Sequence, residues 1–115
     1  TDTTISHNTA GTSSGGGVYF YSSTVSLTDT TIAHNTAGTH SGGVFFHSST
    51  VSLTDTTIAH NTAGTSGGGV FISVSTQATF TATSIFNNTA SSGGGGGVYA
   101  FDGAVGVFQD CARFL

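Results

Sequence analysis

The chain repeats itself, and this self-similarity constrains the fold more than any other feature. Residues 1–27, 28–53 and 54–80 share the frame Thr-Asp-Thr-Thr-Ile-x-His-Asn-Thr-Ala-Gly-Thr, followed by a glycine run and an apolar segment. A looser copy covers residues 81–107, and a partial copy covers residues 108–115. We therefore expect one repeat segment, and because the frame is interrupted at both ends, we expect an excerpt of a longer repeat protein or fibre.

Each copy contains three short apolar patches separated by turn-forming residues. In the second copy these patches contain Ile32, then Val44 with Phe46, then Val51 with Leu53. A period of about 26–28 residues fits a coil of three short strands, with each coil advancing about 4.8 Å. Leucine-rich repeats have a similar period but need several leucines per copy, whereas this frame has one. A leucine-rich repeat fold is therefore excluded. The sequence thus predicts an all-β parallel β-helix (β-solenoid) with three short strands per coil.

Composition limits the function. Charged residues make up 5% of the chain, the formal net charge is −4, and no basic patch is present, so we expect no nucleic-acid binding. No run of about 18 apolar residues occurs, so we expect no membrane insertion by this segment. Glu and Lys are absent and the one cation is Arg113, which argues against an enzyme, because catalysis needs converging acid, base or cationic groups.

Two short motifs recur in the four longer copies. The first is Gly-Gly-Val, which stands in a glycine run that we interpret as a turn with positive φ and no room for side chains. The second is Ile-x-x-Asn. They occupy Gly16-Gly17-Val18, Gly42-Gly43-Val44, Gly68-Gly69-Val70 and Gly96-Gly97-Val98, and Ile5-x-x-Asn8, Ile32-x-x-Asn35, Ile58-x-x-Asn61 and Ile85-x-x-Asn88.

These motifs resemble the repeats of chlamydia-like polymorphic outer-membrane proteins, and more broadly the right-handed β-helix repeats of pectate-lyase-like proteins and autotransporter passengers. The chain has Ile where the polymorphic repeats have Phe. The resemblance implies a right-handed coil, an extracellular or cell-surface location and a role as adhesin or scaffold. It implies no catalytic residue.

Stacked coils place equivalent residues in columns. One column contains the asparagines of the second motif, whose amides both donate and accept, so we predict a structural ladder of Asn8, Asn35, Asn61 and Asn88. The preceding residues include the histidines His7, His34 and His60. Imidazole binds metals, but a straight column presents its nitrogens in parallel, so we expect no metal and no cofactor. His40 and His47 recur in no other copy, and we interpret both as solvent-exposed residues.

Asp2, Asp29 and Asp55 form a further column, for which an Asx-turn is favoured over calcium binding. Threonines flank this column on both sides. A flat Thr-x-Thr array is typical of ice-binding solenoids, although β-branched Thr is also simply a good exposed strand residue. The candidate ice-binding residues are Thr1, Thr3, Thr28, Thr30, Thr54, Thr56, Thr81 and Thr83.

The aromatic column of Tyr19, Phe45, Phe71 and Tyr99 is expected to point outward if the valines before it point inward. Such a stripe would contact a sugar or a neighbouring solenoid, unless a turn lets both columns pack inside. Asn87-Asn88-Thr89 is the one Asn-x-Thr sequon, with Asn87 as the candidate glycosylation site.

The sequence therefore predicts a non-catalytic structural or adhesive extracellular scaffold, such as a surface stalk, an adhesin or a fibre-forming glycoprotein. An ice-binding protein and a glycan-binding β-helix module are the alternatives. The expected partners are further coils of the same chain, other copies joined end to end, and surface glycans.

Overall fold

A computed structural model of the chain describes residues 2–109, 111, 113 and 114, the last two by their backbone alone. The described residues form 17 β-strands and no helix. Strands pair in parallel with their counterparts one coil away, as in the pairing of Ile5 with Ile32. The predicted all-β parallel β-helix is confirmed.

The strands form four sheets, numbered in the order in which a coil visits them. Sheet 1 contains β1 (Thr3–Ser6), β5 (Thr30–Ala33), β9 (Thr57–Ala59), β13 (Ser84–Phe86) and β17 (Arg113–Phe114). Sheet 2 contains β2 (Thr9–Ala10), β6 (Thr36–Ala37), β10 (Thr62–Ala63) and β14 (Thr89–Ala90). Sheet 3 contains β3 (Val18–Tyr21), β7 (Val44–His47), β11 (Val70–Ser73) and β15 (Val98–Phe101). Sheet 4 contains β4 (Thr24–Thr28), β8 (Thr50–Thr54), β12 (Gln77–Thr81) and β16 (Val105–Gln109).

Each full coil has four strands, so the prediction of three strands per coil is wrong. The additional strand is the Thr-Ala pair of sheet 2. Two residues are too few to show an alternation of apolar and polar side chains, which is the pattern that reveals a strand in a sequence. The three longer strands coincide with the apolar patches.

The core consists of apolar columns that run along the coil axis. Ile32, Phe46 and Leu53 of the second coil are fully buried, as are Ile58 and Ile72 of the third. The register places Ile on Ile in sheet 1, Val on Val in sheet 3 and Leu53 on Phe80 in sheet 4. Identical or similar apolar side chains repeated about every 4.8 Å thus fill a continuous interior without any one coil having a core of its own.

Corners between successive sheets contain a residue in the left-handed backbone conformation. Thirteen described residues other than glycine have φ between 48° and 59°. Asp, Asn, His and Gly adopt this region more readily than other residues, which explains why they recur at these places. The corner residues are His7, His34, His60 and Asn87 after sheet 1; Gly15, Ser41, Gly67 and Gly95 before sheet 3; Ser22, Ser48, Val74, Ser75, Asp102 and Gly103 after sheet 3; and Asp29, Asp55 and Ala82 after sheet 4.

A polar residue follows the left-handed residue at three of the corners and bonds the backbone there. After sheet 4, the hydroxyls of Thr30, Thr56 and Thr83 each donate to the carbonyl two residues earlier at 3.0–3.1 Å. Within the described part of the chain the Asp carboxylates accept no backbone hydrogen bond. The Asx-turn prediction is therefore wrong, since Thr30 and Thr56, which follow Asp29 and Asp55, bond the corner backbone instead.

The glycine runs press against backbone, which explains why they repeat. A Cβ atom on Gly16 would lie 2.6 Å from the carbonyl oxygens of Thr36 and Gly42, and one on Gly43 would lie 2.3 Å from the Gly69 oxygen. Gly15 and Gly67 have φ of 70° and 66° and fold the loop over the outer face of sheet 3. The runs are ordered turns, with positive φ at only some of their residues.

Candidate functional site

The asparagine column forms a continuous ladder inside the corner between sheets 1 and 2. The Asn35 Oδ1 atom accepts from the backbone N–H and from the Nδ2 of Asn8, at 2.9 and 3.1 Å. Its Nδ2 donates to Asn61 Oδ1 at 3.0 Å and to the Ile5 carbonyl at 3.1 Å. Asn61 repeats this pattern with Asn88 and Ile32. Asn35 and Asn61 are fully buried, so the middle of the ladder holds coils together and is closed to a ligand, whereas Asn8 at its end is exposed.

The histidine column lies outside the same corner. His7, His34 and His60 are exposed, and their rings stack in parallel at 5.2 and 4.9 Å between centroids. Parallel rings do not converge on one point. Among the residues that the structure describes, no group of three His, Cys, Asp or Glu side chains is placed to hold a metal ion.

The predicted flat Thr-x-Thr array is wrong. Thr28 ends β4 and Thr30 begins β5, so a left-handed corner at Asp29 separates the two threonines and puts them on different sheets. Thr30 and its equivalents Thr56 and Thr83 are buried at the corner, while Thr3, Thr28, Thr54 and Thr81 remain wholly or partly exposed. Thr1 lies outside the described residues.

A regular hydroxyl surface occurs instead on the outer face of sheet 4. Alternate residues of β4, β8 and β12 point outward there, and the parallel register aligns them coil by coil. We name this surface the hydroxyl grid. It contains Thr24, Ser26, Thr28, Thr50, Ser52, Thr54, Thr79 and Thr81, with Gln77 at one edge.

The aromatic column lies on the outer face of sheet 3 and forms a stacked ladder. Ring centroids are separated by 4.7 Å from Tyr19 to Phe45, 4.7 Å from Phe45 to Phe71 and 5.1 Å from Phe71 to Tyr99. The glycine-rich loops cover its middle, so Phe45 and Phe71 are only 6% and 5% exposed. These two residues are therefore not open to a partner, whereas Tyr19 is exposed and Tyr99 is half-buried.

The solvent interpretation of His40 and His47 is also wrong. The His40 ring lies 4.5 Å from that of Phe71, and its Nδ1 forms a 2.8 Å hydrogen bond with the Thr65 hydroxyl. His47 stacks on Tyr21 at 4.8 Å. Histidine occurs at each of these two repeat positions in one coil only. This departure from the repeat is the sequence signal that could have identified both residues.

Asn87 is exposed at the corner after sheet 1, in the place that histidine takes in the other coils. Its neighbour Asn88 accepts from Asn61 within the ladder. Attachment of a glycan at Asn87 stays a prediction. No helix long and apolar enough to cross a membrane occurs in the described part of the chain.

Comparison of the sequence with models of known protein families gives a match to one family. The model of the family described as "Right handed beta helix region" matches residues 1–112. The search of curated proteins and the search of solved structures each returned no match.

Proposed function

The chain belongs to the right-handed β-helix family, and from this premise we propose that it is a non-catalytic scaffold of the cell surface or extracellular space that makes adhesive contacts through its outward columns. The likeness of its Gly-Gly-Val and Ile-x-x-Asn motifs to surface-displayed repeats supports the location. Self-stacking of coils supports a structural role, because neighbouring coils supply one another's core.

One observation carries the proposal: the described outward faces hold hydroxyls, amides and aromatic rings, but no converging charges. The described carboxylates, Asp2, Asp29, Asp55 and Asp102, are all exposed at or next to corners. An enzyme of this family would need acid, base or cation groups converging in a groove. A surface of this kind is suited to contact and display.

The non-catalytic part of the proposal is tested with polysaccharides. The purified chain is incubated with polygalacturonate and with neutral plant and bacterial polysaccharides, and reducing ends are measured over time. We expect no release above a protein-free control, together with retention of the chain on some of the same polymers in a pull-down. Release of reducing ends in proportion to protein concentration would overturn the proposal.

The hydroxyl grid supports a second candidate, ice binding. Its hydroxyls and methyls repeat in two directions, about 4.8 Å between coils and about 6.6 Å between alternate residues of a strand. A surface that is periodic in two dimensions can order water over an area, which an irregular surface cannot do. The outward hydroxyls of Thr24, Thr50 and Ser52 lie in adjacent positions of this grid.

Thermal hysteresis separates the two candidates. If the grid binds ice, the wild type shows a freezing gap and shaped ice crystals, and Ser52→Tyr at its centre abolishes both. Thr36→Tyr, which changes an exposed residue of sheet 2, is the matched control and should leave both unchanged. Absence of hysteresis in the wild type would exclude this candidate and leave the scaffold proposal standing.

A further inference from the structure

A cleft of about 160 Å³ opens on the outer face of sheet 3, beside the covered part of the aromatic ladder. His40, Ser66, Phe71, Tyr99 and Phe101 line it. The His40 ring tilts over Phe71 at 37°. Tyr99 and Phe101 have their centroids 6.4 Å apart. Four aromatic or imidazole rings thus surround one small space.

The cleft exists because two columns break their repeat at neighbouring places. The first column lies in the glycine-rich loops before sheet 3. There the backbone carbonyls of His40, Ser66 and Gly94 occupy equivalent positions in successive coils, so a bulky side chain is followed by a small one and then by none. In the outer column of sheet 3, Tyr21 and His47 are followed by the small Ser73 before Phe101. Small residues in both columns leave the third and fourth coils partly uncovered between larger rings.

Polar groups without protein partners lie at this space. Ser66 is 8% exposed, and its hydroxyl makes no hydrogen bond within the described residues. The phenol of Tyr99 also has no hydrogen-bond partner among them. The Nδ1 atom of His40 is hydrogen-bonded to the Thr65 hydroxyl, and its Nε2 atom has no hydrogen-bond partner among the described residues. No fully buried side-chain oxygen or nitrogen among the described residues lacks a hydrogen-bond partner, so the Ser66 hydroxyl reaches solvent at the cleft and can bind a ligand there.

We propose that this cleft binds one pyranose ring of a neutral glycan, and the proposal rests on the adhesive function proposed above. A sugar ring offers apolar C–H faces to aromatic rings and hydroxyls to the unpartnered groups of Ser66, His40 and Tyr99. No charged side chain lines the cleft, which favours a neutral sugar over a uronate or a phosphate. A purely apolar guest would leave the Ser66 hydroxyl without a partner.

Saturation-transfer NMR with the methyl pyranosides of glucose, galactose, mannose and N-acetylglucosamine tests the proposal on the full chain. We expect transfer to at least one of them, with a dissociation constant on the order of 1 mM. Phe101→Ala and His40→Ala should each weaken binding by about tenfold, because each removes one ring from the cleft.

Tyr21→Ala is the matched control. Tyr21 occupies the same column as Phe101 and is also exposed, 63% against 56%, but lies three coils away from it. Circular dichroism checks that all variants keep the β-helix, and Tyr21→Ala should bind as the wild type does. The proposal is overturned if no pyranoside receives transfer, or if the Phe101 and His40 variants bind like the wild type.

These results can be told apart from failure of the scaffold proposal. Retention of the chain on glycan polymers that does not depend on Phe101 or His40 would contradict the cleft and leave the adhesive scaffold in place. Release of reducing ends would contradict the scaffold whatever the cleft binds.

Discussion

Asn35 shows how a single residue can serve both of its neighbouring coils. Its side chain makes four hydrogen bonds, two as acceptor and two as donor, with no exposure to solvent. Exchange for alanine would remove all four bonds, including the one that the backbone N–H of Asn8 donates. We expect Asn35→Ala to lower the free energy of unfolding by roughly 1–3 kcal/mol in urea denaturation. A change within error would show that water replaces the amide at no cost.

At a left-handed corner, a substitution is expected to raise the free energy of unfolding rather than lower it. Val74 has φ of 50°, a conformation that strains a β-branched side chain. We expect Val74→Gly to raise the free energy of unfolding by about 1 kcal/mol, because the released strain exceeds the added backbone entropy of the unfolded chain. Thr50→Gly, at an exposed position of β8, is the control and should lower the free energy of unfolding. Equal losses in the Val74 and Thr50 variants would contradict the left-handed conformation of Val74.

At the scale of the element, glycine columns decide how closely loops and coils approach. Gly11 and Gly38 occupy equivalent places, but a Cβ on Gly38 would lie 2.1 Å from the Gly11 oxygen, whereas one on Gly11 would meet nothing within 4 Å. We expect Gly38→Ala to destabilise the fold by about 1–3 kcal/mol through overpacking, and Gly11→Ala to be nearly neutral. Thermal unfolding of the two variants side by side measures this difference, and equal melting temperatures would contradict the packing.

The sequence repeat predicts the strands and their register well, but it predicts the corners between sheets poorly. In-register columns of Ile32, Val44 and Leu53 follow from periodicity alone, because parallel pairing of identical coils leaves no other alignment. The corner at Asp29 could not be predicted in the same way. Nothing in Thr-Asp-Thr distinguishes a continuing strand from a left-handed turn, so the sequence alone predicts both threonines on one face.

The candidate cleft could not be predicted from the sequence for a related reason. Periodicity draws attention to residues that recur, whereas His40, Ser66 and Ser73 matter because they differ from their equivalents in other coils. The burial of Phe45 and Phe71 depends on where the loops fold, which is a tertiary property with no local signal. Departures from a repeat are therefore a useful guide to binding sites in solenoids.

At the scale of the molecule, we expect copies of the purified 115-residue chain to associate end to end. The described strands of the first coil pair on one side only, as β4 does with β8. Edges with little charge favour further pairing. Light scattering should show growth with protein concentration, and lysines at Thr24 and Ser26 on β4 should reduce this growth more than lysines at Thr50 and Ser52 on β8. A monomer of constant size at high concentration would contradict the expectation.

The central claim, that function resides on columns aligned by an in-register parallel stack, is tested most directly by disulfide mapping. Thr24 and Thr50 are Cα partners on exposed positions of sheet 4. In a Cys111→Ser background, the pair Thr24→Cys and Thr50→Cys should oxidise to an intramolecular disulfide, because partners about 4.8 Å apart satisfy its geometry. Thr24→Cys with Thr54→Cys, four residues out of register, should stay reduced. Efficient bridging of the offset pair, or none in the aligned pair, would contradict the account.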